Sequence, residues 1–395
     1  MTPVEPPVYR AFARLAFASM LLVGAPLGVW MAGGHASAQA IWLHAAAQLF
    51  GFFATLIVGV AHHLLPRFTG RPVRATALTS WLFGLLALAL LLRLAGLLWP
   101  PLAGVGALLH AAALAAFAVW VSRALDPPPL RLLRAQLTMS TLWLAAAAAL
   151  EAWLRARGGG FPDARFMPLV YTMALVGGVL GWVLGVLLRA GPMFVREWLV
   201  PRWLARATPW ALALAVALAA LGAVGAPAVA ARASDALALG TAAAVVLAAG
   251  TLRRSRGAFP MLSRSLPEAR IFRVAAASAV AGAGLSVVAL GLGAGVPRAL
   301  TDAIRHLLAI GVLGAVVIAM TFRLIPVLER RPLPWAPLRT VALGALIAAV
   351  VLRTAQGWLP PAWREASGVL AAVAFACPAV GLVRRPARAR APDPS

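Results

Sequence analysis

Apolar residues in this chain run in unbroken blocks rather than in the alternation of a half-buried strand or the stripe of a surface helix. Blocks of about 20 residues, the length that crosses roughly 30 Å of hydrocarbon, are separated by short breaks holding Arg, Pro and Gly. Twelve are read, over 11–31, 41–65, 76–98, 102–124, 132–154, 167–190, 208–230, 235–252, 272–292, 303–325, 337–356 and 362–383. Hydrocarbon offers an exposed backbone no hydrogen-bond partner, so each block is expected to be a helix. The fold class that follows is all-α: a polytopic membrane protein with twelve transmembrane helices, one integral membrane domain over residues 1–395.

Composition agrees with the pattern. With 62% hydrophobic and 12% charged residues and a mean hydropathy of +0.89, the chain has too little polar surface to coat a water-soluble globule. A net charge of +24 would suit a nucleic-acid binder if it lay on one soluble face. Instead every cation is Arg, and the arginines gather in alternate loops: Arg67, Arg71 and Arg74; Arg123, Arg131 and Arg134; Arg189, Arg196, Arg202 and Arg206; Arg253, Arg254, Arg256, Arg264, Arg270 and Arg273; Arg323, Arg330, Arg331 and Arg339. The positive-inside rule makes those loops cytoplasmic. Both termini join them through Arg10, Arg14, Arg384, Arg385, Arg388 and Arg390, which requires an even helix number. The opposite loops are nearly uncharged apart from Arg155, Arg157 and Arg165. The expected location is a bacterial inner (cytoplasmic) membrane, the expected partner is membrane lipid, and nucleic acid is not expected, because a basic face on one side is orientation and anionic-lipid chemistry. Cys377, the single cysteine, lies inside the last block and has no intrachain disulfide partner. The opening MTPVEPPVYR is polar and acidic rather than the start of a cleavable signal, so the first block is read as a retained span.

Aligning prolines exposes an internal repeat. GFFATLIVGVAHHLLPRF at 51–68, GGVLGWVLGVLLRAGPMF at 177–194 and GVLGAVVIAMTFRLIPVL at 311–328 share a Gly, a small residue eight positions later (Gly59, Gly185, Ala319), and a proline seven further on (Pro66, Pro192, Pro326), at offsets of 126 and 134 residues. These are the second, sixth and tenth blocks, which predicts three pseudo-repeated four-helix units over about 1–130, 131–255 and 256–395. Small residues at this spacing let helix backbones approach closely.

The six histidines are where chemistry is sought, since an ionisable group inside a span is costly. His44 precedes Pro66 by 22 residues and His306 precedes Pro326 by 20. If the units are related by rotation about the membrane normal, the two lie within about 3 Å of the same depth, near the outer surface. Two imidazoles on neighbouring helices can hold a b-type haem iron from both faces without a CxxCH attachment, and no such motif occurs. Gly51, Gly59, Gly311 and Gly314 are expected to leave room for a flat macrocycle, and Arg305, Arg353 and Arg93 to offer cations for its propionates, although each arginine also reads as snorkelling to headgroups. His62 and His63 lie roughly 27 to 29 Å further along the helix and form a separate, cytoplasmic-end pair, read as interfacial or proton-relaying, with a second metal site as the lesser alternative. His110 reads as an alternative axial ligand or a buried hydrogen-bonding residue, and His35, beside Gly33 and Gly34, as solvated.

LHAAAQLFGFFATLIVGVAHHLLPRFTGRP, LLRAGPMFVREWL and RHLLAIGVLGAVVIAMTFRLIPVLERRPL resemble the second, sixth and tenth helices of the NnrS family, bacterial twelve-helix membrane proteins associated with haem, copper and nitric oxide tolerance. The four-helix spacing also resembles the haem-copper oxidase catalytic subunit, whose low-spin haem hangs between histidines of its second and tenth helices. The resemblance implies His44 and His306 as the matching positions, and a redox partner protein. The chain departs from it in three places. A His-x-His-Glu opening to the second helix is reduced to His44 followed by Ala45, Ala46, Ala47 and Gln48; the histidine expected near PVLERRP is missing; and the sixth and seventh blocks hold no histidine. An oxidase-like copper centre therefore has no evident ligands. With both axial positions filled by histidine, electron transfer or nitric oxide response is the expected chemistry. The competing reading is a secondary transporter. Asp126, Glu151, Asp163, Glu197, Asp235, Glu268, Asp302, Glu329 and Glu365 all map to loops or helix ends, which predicts no buried carboxylate to couple an ion and weighs against it.

Overall fold

The computed structural model describes residues 9–71, 76–194, 201–225, 228–248, 267–328 and 335–383. Among these residues there is no strand, and twelve long helices follow one another: α1 (Tyr9–Ala32), α2 (Ala38–Phe68), α3 (Ala77–Ala95), α4 (Pro101–Ala124), α5 (Arg131–Arg157), α6 (Met167–Arg189), α7 (Arg202–Ala223), α8 (Ala228–Ala248), α9 (Pro267–Leu292), α10 (Arg298–Arg323), α11 (Ala336–Thr354) and α12 (Pro361–Val383). The first eleven are long and apolar enough to cross a membrane. Arg74, Arg196, Arg253, Arg254, Arg256, Arg264, Arg330, Arg331, Arg384, Arg385, Arg388 and Arg390, with Glu197 and Glu329, lie outside the described residues.

Local chemistry sets several boundaries. The Ser37 side chain accepts from Ala40 N to start α2, and Thr76 with Thr79 forms a capping box at the start of α3, each satisfying amides that the first turn leaves unpaired. The seventh and eighth helices begin about six residues earlier than the apolar blocks suggest. The break between them is Gly225, at φ +103°, a conformation open to glycine and hidden within the continuous apolar run AVGAPAVA.

Exposed tryptophans mark both ends of the bundle. Trp30, Trp99, Trp153, Trp358 and Trp363 lie at the end where α1 joins α2, called here the His44 end; Trp81, Trp203, Trp210 and Trp335 lie at the opposite, His62 end. Amphipathic rings at two levels are the signature of two membrane–water interfaces. The protein is a multi-pass membrane protein.

Helices α2, α6 and α10 form the interior: 67% of each spanning window is buried, against at most 50% for any other of the eleven. The rest surround them with a recurring order. α1 packs on α2, α5 on α6 and α9 on α10; α3 pairs with α4, α7 with α8 and α11 with α12; α4 leans on α5, α8 on α9, and α12 closes the ring against α1. The glycines of the inner helices are occupied, not open. A Cβ on Gly51 would meet Ser19, on Gly59 Phe12, on Gly311 Ser278 and on Gly314 Phe375. The expectation that Gly51, Gly59, Gly311 and Gly314 leave room for a macrocycle is therefore corrected: neighbouring helices fill that space, which is what small residues permit when no water-driven burial pulls helices together.

Each inner helix also carries a π-helical stretch, Ala47–Ala54 in α2, Met173–Leu180 in α6 and Leu307–Gly314 in α10. These stretches are separated by the same 126 and 134 residues as the prolines. A fourth, Met20–Gly24, interrupts α1.

Candidate functional site

Three clusters of polar side chains lie at the His44 end, and further buried polar groups lie at the His62 end. The first contains the two histidines singled out by sequence. His44, three residues before the π stretch of α2, lies against α1. Its Nδ1 is 2.8 Å from Gly24 O, and its ring packs so closely on Gly28 that a Cβ there would stand 2.9 Å from Cε1. A carbonyl can only accept, so Nδ1 carries the proton and Nε2 the lone pair. His306, the residue preceding the π stretch of α10, is fixed in the same sense. Its Nδ1–H donates to Asp302 O at 2.8 Å and lies 3.2 Å from Asp302 Oδ1, which leaves Nε2 to accept from Arg353 Nη2–H at 3.2 Å. Arg353 also lies 3.2 Å from Asp302 Oδ2, to which Gln356 donates. His44 is within electrostatic reach of His306, Arg353 and Asp302. The structure thus brings His44, His306 and Arg353 into one neighbourhood and adds Asp302 and Gln356.

Arg93 and Arg305 go elsewhere. Arg93, buried in α3, donates twice through Nη1 to Glu151 at 2.8 and 2.9 Å and through Nε to His110 Nδ1 at 3.1 Å. Arg155 joins Glu151 through Nε at 2.8 Å and reaches Gly160 O through Nη1 at 3.0 Å. This second cluster corrects the reading that no carboxylate is buried: Glu151 is 2% exposed, held in α5 by arginines above and beside it. Glu268, 0% exposed in the first turn of α9 at the His62 end, is likewise buried and bonded to Arg339. Arg305 belongs to a third cluster, an opening between α6, α8 and α10 that it lines with Tyr171 and Asp235.

At the His62 end, His62 is buried in an aromatic box. Trp120 stacks at 4.1 Å between centroids, Phe117 at 5.8 Å and Phe12 at 6.1 Å, and Nδ1–H donates to Val58 O at 2.8 Å. His63 meets the Tyr9 ring edge-on at 5.0 Å. The adjacent side chains diverge around the helix and do not form one site. His35 stacks on Trp30 at the surface. Among the described residues no three His, Cys, Asp or Glu side chains converge where a bare metal ion could be held.

The comparisons decide the family. The family model described as NnrS protein matches residues 7–389. The chain belongs to the NnrS family. No curated protein matches it. Within this NnrS-family chain, Asp302, Gln356 and Glu151 were missed as partners. Only two of the contacts had a local signal, the i,i+4 spacings of Asp302 with His306 and Glu151 with Arg155.

Proposed function

We propose that this NnrS-family protein binds a b-type haem between His44 and His306 and serves electron transfer or nitric oxide response. The observation that carries the reading is the shared posture of the two imidazoles. In both, Nδ1–H is anchored to an oxygen acceptor and Nε2 is the lone-pair nitrogen, the orientation in which histidines ligate metals, with an outer partner fixing tautomer and ring. Two imidazoles with lone pairs on Nε2 would suit the donor set that a haem iron takes. Each Nδ1–H is held by a backbone carbonyl, Asp302 O for His306 and Gly24 O for His44, and the Asp302 carboxylate 3.2 Å from His306 Nδ1 adds to the basicity of that ring alone. Arg353, which now donates to His306 Nε2, would yield that nitrogen to a bound haem and would offer its guanidinium to a propionate while keeping Asp302. Bound haem supplies a one-electron couple; the protein residues set its orientation. π turns beside both histidines support a functional origin, because such turns concentrate at functional sites.

We also read the chain as one membrane domain of three four-helix units, with the His44 end outward and both termini cytoplasmic. The equal offsets of prolines and π stretches, and the repeated helix pairing, support the three units. A likeness to the haem-copper oxidase catalytic subunit, with α2 and α10 as equivalent helices of two units, belongs to the same reading. A transporter is less favoured, since Glu151 and Glu268 are each bonded to arginine and offer no free base to a coupling ion. Absorption spectra of the detergent-purified, haem-supplied protein test the proposal. Sharp reduced bands of a six-coordinate b haem, lost in His44→Ala and in His306→Ala, are expected. A colourless wild type expressed with ample haem would overturn it.

A further inference from the structure

The Arg93, Glu151, Arg155 and His110 cluster is separate from the His44 and His306 pair, and its contacts bind Arg93 and His110 to Glu151 and to each other. It holds two guanidinium cations against one carboxylate, all with side chains no more than 8% exposed, so one positive charge is left without a counter-charge in a low-dielectric setting. Such a charge is retained inside a membrane protein only with a partner. The donors are not all used either. A guanidinium N–H can only donate, so His110 Nδ1 accepts from Arg93 Nε, although Gly106 O lies 3.2 Å from the same nitrogen. The ring proton therefore sits on Nε2. That N–H and Arg93 Nη2 are both buried with no acceptor among the described residues. The faces of Phe50, 4.8 Å from Arg93 Cζ, and Trp42, 5.7 Å from Arg155 Cζ, offset the charge only in part.

Beside these groups lies a cavity with about 20 Å³ of space for the centre of a water-sized molecule, lined by Arg93 and Arg155 together with Gln39 and Trp42. That is room for a single small group. Leu97 and Phe161, both partly exposed, form its mouth at the His44 end. We propose that this cleft between α2, α3, α4 and α5 is a binding site for a chloride-sized monovalent anion. Arg93 and Arg155 supply the charge, and Glu151 holds both guanidiniums in place while limiting the affinity.

Bromide is the probe, and the full chain in detergent, at constant ionic strength in gluconate, is the sample. Titration should quench tryptophan fluorescence with a saturable component that is absent from Trp42→Phe, lost in Arg93→Gln, and tightened about tenfold in Glu151→Gln, where a like charge beside the anion is removed. The wild type should unfold at a higher temperature in bromide or chloride than in gluconate, and its bromide complex should give an anomalous peak beside Arg93 without recourse to any variant. Quenching that stays linear and matches Trp42→Phe, with equal unfolding temperatures in bromide and gluconate, would overturn the assignment. So would an anomalous map with no bromide at the cluster.

Discussion

Single residues in this protein are priced by where their charges sit. Arg339 and Glu268 form a buried pair, whereas Arg134 and Asp126 form one with side chains 39% and 71% exposed. Arg339→Met should lower stability by about 3 kcal/mol, because it strands a buried carboxylate; Arg134→Met should cost about 0.5 kcal/mol or less. Thermal unfolding of the two variants in one detergent checks the contrast, and equal losses would refute it. Gly28 makes a finer test of the histidine pair. A methyl there meets the His44 ring at 2.9 Å, so Gly28→Ala should displace the imidazole and reduce haem retention while leaving the helix intact, read as haem-to-protein absorbance against an unchanged far-ultraviolet spectrum. Sequence carried this scale unevenly. His44 and His306 stand out as rare ionisable groups in apolar blocks, but the partners that fix their tautomers are backbone carbonyls, Gly24 O on α1 for His44 and Asp302 O one turn upstream for His306, the latter beside its own carboxylate. Arg93 looks like any snorkelling arginine until the fold sets Glu151, 58 positions away, against it.

Helices were the most legible level, since a membrane makes hydrophobic length equivalent to helix. The end of α7 and the early start of α8 escaped because a turn made by Gly225 lies inside uninterrupted apolar sequence, where hydropathy has no contrast, and the early start of α7 escaped because Arg202 and Arg206 lower the hydropathy of its first turns. Prolines marked the inner helices, yet nothing in composition announces a π stretch, which differs from an α turn by one residue of register rather than by residue type. That register is open to test. Deleting one residue within Ala47–Ala54 should restore α geometry and shift His44 relative to the lower half of α2, so the variant should reach the membrane but lose the proposed haem spectrum; a retained spectrum would show that the π turn does not orient His44. Glycines divide by their contacts. Gly51→Ala drives a methyl into Ser19 and should cost about 2 kcal/mol, while Gly84→Ala meets nothing within 4 Å and should hold or raise the unfolding temperature.

For the whole molecule, the ring of paired helices around α2, α6 and α10 puts the three polar clusters at one end of the bundle, so the chemistry of the protein depends on which side of the membrane that end faces. The tryptophan belts locate two interfaces but do not tell them apart, because an indole serves either one. Arginine placement favours the His62 end as the cytoplasmic one in the proposed orientation: Arg67, Arg71, Arg123, Arg131, Arg134, Arg189, Arg202, Arg206, Arg270, Arg273, Arg323 and Arg339 lie toward that end, against Arg93, Arg155, Arg157, Arg165, Arg232, Arg298, Arg305, Arg353 and Arg364 toward the other. Helix α11 allows a direct test, since exposed tryptophans flank it on both sides, Trp335 before its start and Trp358 after its end. In a Cys377→Ser background, which removes the one native thiol, Trp358→Cys should react with a membrane-impermeant maleimide added to intact spheroplasts, and Trp335→Cys should react only after the membrane is opened. The reverse result would set the His44 end in the cytoplasm. Any anion reaching Arg93, and any redox partner approaching His306, would then have to come from inside the cell.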